Sequence, residues 1–206
     1  MMLLENLENL YKPGELFLLK NIGLNISYDS LCHQVKSLTD SGKLCRFIEG
    51  VYYLPKKTIS GIPYVPNADK VAELKYITDN HDYYGCYSGH TLANVMGLSN
   101  QVPQVKEIVS NNTKAITREV SIGKFNYIIR RASFPITQEN VKAVMLLEVL
   151  KDIDNLSDSQ INKAESLKYF ILQNKITKKM IDSVLPNYPL RTYKAIYDLE
   201  LTNVFA

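Results

Sequence analysis

Cysteine is scarce in this chain of 206 residues: there are three, irregularly spaced. An odd, scattered set does not make the disulfide framework of a small secreted domain, so the thiols read as reduced ones. Long apolar runs are missing as well. The longest, Ala143-Val144-Met145-Leu146-Leu147, is far below the roughly 20 residues a membrane span needs. Met1 to Glu8 is acidic and has no cleavable apolar core, which excludes a secretory signal of the usual kind. These absences lead to the expectation of a soluble, cytoplasmic protein with no membrane partner. Phosphate-cradling glycine loops are also lacking. Neither G-x-x-x-x-G-K-[ST] nor G-x-G-x-x-G occurs, so nucleotide hydrolysis and dinucleotide binding lack their loops. Nor is there an excess of one charge: 24 Lys+Arg face 21 Asp+Glu, a net +3. Residues 1–57 carry 7 basic and 6 acidic groups, 58–137 carry 8 and 6, and 138–206 carry 9 and 9, so no segment is a basic tail. The balance is compatible with nucleic acid without demanding it. Internal repeats and low-complexity stretches are absent too.

What is present is an ordinary globular composition, 46% hydrophobic and 22% charged. A chain of this size buries about 70% of its unfolded surface and needs no staples. Leu3, Leu4, Leu7 and Leu10 are spaced as one helix face, stopped by Lys12-Pro13-Gly14. A short apolar piece, Glu15 to Leu19, continues to Gly23. A second helix is written in Asn25 to Gly42, with Ser27 as N-cap, Asp29 in the first turn and Gly42 as the stop. Leu31, Val35 and Leu38 give it one apolar stripe, and at 100° per residue the opposite face holds Asp29, His33, Lys36 and Asp40, flanked by Ser30 and Ser37. Leu44 to Ile48 and Val51 to Leu54 are β-rich runs joined at Glu49-Gly50, a tight hairpin closing on Pro55.

Helix, connection, helix and hairpin is the outline of a winged helix-turn-helix at residues 1–57. Such a unit places its second helix in the DNA major groove and holds phosphates with helix N-termini and the wing. On that reading Ser27, Tyr28, Ser30, His33, Lys36 and Ser37 meet the groove or its phosphates, and Arg46, Lys56 and Lys57 serve from the wing. The same outline also serves protein–protein modules. Residues 58–67, with Gly61, Pro63 and Pro66, read as a linker, and 68–206 as a second domain. There the pattern predicts a helix over Ala68–Thr78, a tyrosine-rich piece before Ser88, and a helix capped by Ser88 and ended by Gly97. Strands follow at Val105–Val109, Ala115–Ile122 and Phe125–Arg131, then helices from Thr137 onward, including Ile161–Leu172, Thr177–Leu185 and Leu190–Leu199. The expected fold class is therefore α+β, a winged helix followed by a mixed domain with a small antiparallel sheet and a helical C-terminal half.

Chemical constellations are thin. Cys86 and His90 are four apart, but no second pair of ligands accompanies them, so no metal site is expected. Ser88-Gly89-His90 puts a hydroxyl near an imidazole without a G-x-S-x-G elbow, and Ser88 sits where a helix cap is wanted. A hydrolase using Ser88 and His90 is the third reading, behind a DNA-binding protein and a protein–protein module. Asp152, Asp154 and Asp158 read as a solvated helix end. The expectation is a protein with no cofactor and no catalytic residue.

Three patterns occur in order: Leu38-x3-Gly42-Lys-Leu-x-Arg46 running into Gly50-Val51-Tyr52-Tyr53-x-Pro55; Ser88-Gly89 leading to Ala93-Asn94-x2-Gly97-Leu98-Ser99-x-Gln101-Val102-Pro103; and a strand pair ending in Arg131-x3-Pro135. Over roughly residues 1–150 the chain resembles the AbiEi family of type IV antitoxins. The resemblance implies an N-terminal winged helix that binds operator DNA at inverted repeats and represses its own operon. It further implies a C-terminal domain that counters a cognate nucleotidyltransferase-like toxin without needing a stable complex. Asn94 and Gln101, amides that neither a cap nor a core requires, read as braces of the loop leading to Pro103 or as contacts for a partner, and with Arg130 and Arg131 they make up the candidate antitoxin surface. Two features depart from the pattern: His90 stands where a small residue is expected, and the N-terminal unit has an excess of only one positive charge.

Overall fold

The computed structural model of the chain describes residues 3–23, 26–79, 81–156 and 162–205. Asn25, Asp158 and Ile161, named above, lie outside the described residues. The chain divides into two compact units, Met1–Lys75 and Tyr76–Ala206.

The first unit starts with α1 (Leu3–Leu10), which buries Leu3 and Leu7. Leu10, expected on the same face, is 58% exposed, because the helix ends there and its last turn has nothing beneath it. Strand β1 (Leu16–Leu18) leads through a single 3-10 turn at Leu19–Asn21 towards α2 (Tyr28–Asp40). Ser27 caps α2, its side chain accepting from Ser30 N–H at 3.3 Å, and Asp29 occupies the first turn, where the helix dipole favours an anion. β2 (Cys45–Ile48) and β3 (Val51–Tyr53) form the hairpin, with a bulge between Arg46 and Ile48 and Gly50 at φ +79°, a conformation only glycine adopts freely. The sheet is antiparallel in the order β1-β3-β2, so the hairpin's second strand is the central one. Leu3, Leu7, Phe17, Leu31, Val35, Leu44, Tyr52 and Leu54 close the core, with Tyr11 stacked on Phe17 at 4.4 Å.

Residues 58–67 are not a free linker. Tyr64 N–H donates to Lys56 O and Thr58 N–H to Ile62 O, each at 2.8 Å, and Lys57 bridges to Pro63, so the stretch folds back on itself inside the first unit. The division of the chain falls instead within α3 (Ala68–Tyr76), between Lys75 and Tyr76.

The second unit is built on a four-stranded sheet of β4 (Gly85–Ser88), β5 (Val105–Ser110), β6 (Thr117–Ile122) and β7 (Phe125–Arg131). Its order is β4-β5-β7-β6, and β5 pairs with β7 in parallel, so the sheet is mixed and not the antiparallel one expected. The reason lies in hydrophobicity. β7 buries Tyr127 and Ile129 completely and takes an interior place, while β6, exposed along most of its length, is left at the edge. Strand β4 lay unrecognised in the tyrosine-rich piece. It runs directly into α4 (Gly89–Val95) at Gly89, whose φ of +55° makes the corner; a Cβ there would stand 2.6 Å from the Glu107 carboxylate. The remainder is helical: α5 (Val141–Leu150), α6 (Lys163–Gln173), α7 (Lys178–Val184) and α8 (Leu190–Asp198). Helix α5 is buried almost all round and forms the axis of a core that includes Leu92, Leu98, Leu167, Ile171, Ile181 and Ile196. No helix among the described residues is long and apolar enough to cross a membrane. The chain is thus a mixed α+β protein, with one antiparallel and one mixed sheet among the described residues.

Candidate functional site

In the first unit the outward face of α2 is polar throughout. Leu31 and Val35 are buried, whereas Tyr28, Asp29, Ser30, His33, Lys36, Ser37 and Asp40 are exposed. Few of these side chains are committed to the fold. Ser30 accepts from Gln34 Nε2 at 3.3 Å, and the Tyr28 phenol is pushed up in pKa by its hydrogen bond to the Cys32 thiol. A groove of about 320 Å³ lies between α2 and the hairpin, and Lys36, Asp40, Arg46 and Tyr52 line it. Two of the candidate cations, one on the helix and one on β2, therefore face the same space. Lys56 and Lys57 belong to the neighbouring turn. Lys56 Nζ lies 5.5 Å above the Tyr64 ring, and both lysines line an open hollow with Thr58, Ile59 and Ser60. Residues 1–75 hold nine basic and eight acidic groups.

The second unit keeps its polar chemistry inside. Ser88 does not cap α4: it is fully buried, makes no cap bond, and donates instead to Glu148 Oε2. As the last residue of β4 its side chain points at α5, where a carboxylate in an apolar environment needs donors. Glu148, 5% exposed, also receives Lys151 Nζ at 2.5 Å and the Tyr188 hydroxyl at 3.1 Å, so both of its oxygens are used. Arg130 Nη2 completes the cluster, donating to Ser88 Oγ at 2.8 Å and pairing with Glu107 Oε2 at 2.9 Å. Burial and the neighbouring Glu148 push the Tyr188 phenol far up, which keeps it a donor at any ordinary pH. Burial, then Glu148, raises the Cys86 thiol well above its usual value, so it is held as an inert thiol.

Glu148 is not among the candidate site residues read from the sequence. Its signal was nonetheless present: a single carboxylate inside Val141–Leu150, a helix apolar on every side, must be paired. Ser88 and His90 are not arranged as nucleophile and base. Ser88 is engaged by Glu148 and Arg130, and His90 Nδ1 is buried without a hydrogen-bond partner. Among the described residues no three His, Cys, Asp or Glu side chains group as metal ligands do.

Asn94 and Gln101 sit apart from this cluster. Asn94 Nδ2 donates to Ser99 O at 3.1 Å, and Ser99 Oγ accepts from Gln101 N–H at 3.1 Å, so both residues take part in bracing the loop before Pro103. Arg131 is exposed and donates to Lys114 O at 3.2 Å. The four residues of the candidate antitoxin surface thus fall into two pairs: Asn94 and Gln101 meet at Ser99, and Arg130 and Arg131 share a cavity with Glu148.

No curated protein matches the chain. A family model does match, over residues 3–181, from α1 into α7 and so through most of both units. The chain therefore belongs to DUF6088, a family of unknown function.

Proposed function

We propose that the chain is a DNA-binding antitoxin: the first unit is a winged helix-turn-helix that binds operator repeats and represses its own operon, and the second counters a nucleotidyltransferase-like toxin. One observation carries the DNA half. Helix α2 is capped by Ser27, anchored by Leu31 and Val35, and turns His33 and Lys36 outward, with Lys36 sharing a groove with Arg46 of the hairpin. A capped helix with an uncommitted polar face, beside a hairpin strand that carries Arg46, fits major-groove reading with phosphate anchoring. The antitoxin half rests on the resemblance to the AbiEi family in Leu38–Pro55 and Ser88–Pro103.

The test uses the chain's own upstream DNA in a gel-shift titration. The expected result is a shift that His33→Ala with Lys36→Ala weakens at least tenfold, at unchanged melting temperature. Full binding by that variant removes α2 from the interface. Growth rescue against the co-encoded toxin tests the second half. A protein–protein module without DNA contact is the second reading, favoured by Asp29 and Asp40 on the same helix face. It predicts no shift at low salt.

A further inference from the structure

We propose that the cavity beside the Glu148 cluster is a binding site for the phosphate group of a small ligand. The cavity has a volume of about 210 Å³, and its polar lining includes Arg130, Arg131, Ser133, Glu148, Lys151 and Tyr188. Val109, Phe134 and Pro189 close it with apolar surface, which lowers the local dielectric and strengthens any charge interaction inside.

The donor balance decides the ligand's chemistry. Glu148 is the only carboxylate among the described residues lining the cavity, and its two oxygens already accept from Ser88, Lys151 and Tyr188. It has little left to offer a cation. The cations are in the opposite condition. Arg130 uses Nη2 alone, leaving Nη1 and Nε free, and Arg131 spends only Nη1, on the Lys114 carbonyl. Lys151 has one acceptor for its three N–H groups. Arg130, Arg131 and Lys151 outnumber Glu107 and Glu148 by one positive charge. Planar guanidinium donors with an ammonium beside them match a multi-oxygen anion better than a single carbonyl.

Size narrows the choice further. The volume equals about seven waters of bulk liquid, enough for a phosphate with a sugar-sized remainder and below the usual range for whole cofactors. The network behind the cavity also gives these ion pairs a purpose. Ser88 and Glu107 hold the guanidinium of Arg130 in place before any ligand arrives, so little ordering remains to be done on binding.

The experiment is a calorimetric titration of the full chain with inorganic phosphate and, separately, with ribose 5-phosphate, against potassium chloride at matched ionic strength. It is done in the His33→Ala/Lys36→Ala background, so that phosphate attracted to α2 is not counted. Saturable binding is expected, with a melting temperature raised by about 5 °C at a hundredfold excess over Kd. Arg131→Gln, an exposed position that the fold tolerates, weakens binding about threefold to tenfold. Arg191→Gln, outside the cavity and paired with Asp152, leaves it unchanged. Tighter binding of ribose 5-phosphate identifies a phosphorylated metabolite, and equal binding identifies free phosphate. Absence of saturable binding, or equal losses in the two arginine variants, overturns the assignment.

Discussion

The two units handle polar side chains in opposite ways. In the first, the core among the described residues is apolar and aromatic, and the chemistry is spread over the outward face of α2 and the hairpin. In the second, Ser88, Glu148, Arg130, Lys151 and Tyr188 form a connected interior network. An outward face is cheap to change and can be re-specified without refolding the protein. An interior network ties its members to one another and to the fold, so substitutions there are read first in stability.

The largest effect expected from this contrast is at Glu148. Glu148→Gln keeps the shape but removes the charge that compensates Lys151 and orders Ser88 and Tyr188. Chemical denaturation is expected to register a loss of about 3–5 kcal/mol, the usual cost of orphaning one member of a buried pair. A loss below about 1 kcal/mol would erase the distinction between the two units. Next come the cations of the hairpin and of the turn after it. Removing Arg46 or Lys57 is expected to weaken operator binding evenly across sequences and lower the salt slope by about one each, with melting unchanged. A changed base preference at constant slope would move these residues from phosphate to base contact. Asn94→Ala is expected to cost about 1 kcal/mol through the lost bond to Ser99, with toxin rescue falling in proportion. Rescue lost at full stability would make Asn94 part of a partner surface. The smallest effect belongs to Ser27→Ala, which removes an exposed cap and costs about 0.5–1 kcal/mol, read as a drop in helix content or melting temperature.

The same contrast explains what could be read in the sequence. Helix α2 was legible to within a residue or two because Ser27, Leu31, Val35 and Gly42 are local signals, each acting within one or two turns. The hairpin announced itself through two β-rich runs around Glu49-Gly50. The β-sheet order of the second unit was not legible. The parallel pairing of β5 with β7 depends on which strand is apolar enough for the interior, and every local cue pointed only to the β6–β7 hairpin. Ser88 illustrates the limit most sharply. A serine before a helical segment is ordinarily a cap, but here a carboxylate sixty residues away competes for the hydroxyl and wins, since burial makes that bond the more costly one to lose. The internal bonds of the 58–67 stretch were hidden for a similar reason, because Gly61 and Pro63 mark a turn equally well inside a folded unit and between two units.

The position of β7 also sets an order of assembly. As the chain is synthesised, β4 and β5 are complete at Ser110, but the strand that covers the open edge of β5 ends only at Arg131. The intervening β6 cannot serve as its substitute, since its own pairing partner is that same later strand. Until β7 arrives, the nascent second unit exposes an unpaired β-edge, the kind of surface that chaperones cover and that aggregation recruits. Any chain ending before residue 125 is left permanently in that condition, with half a sheet and no strand to close it.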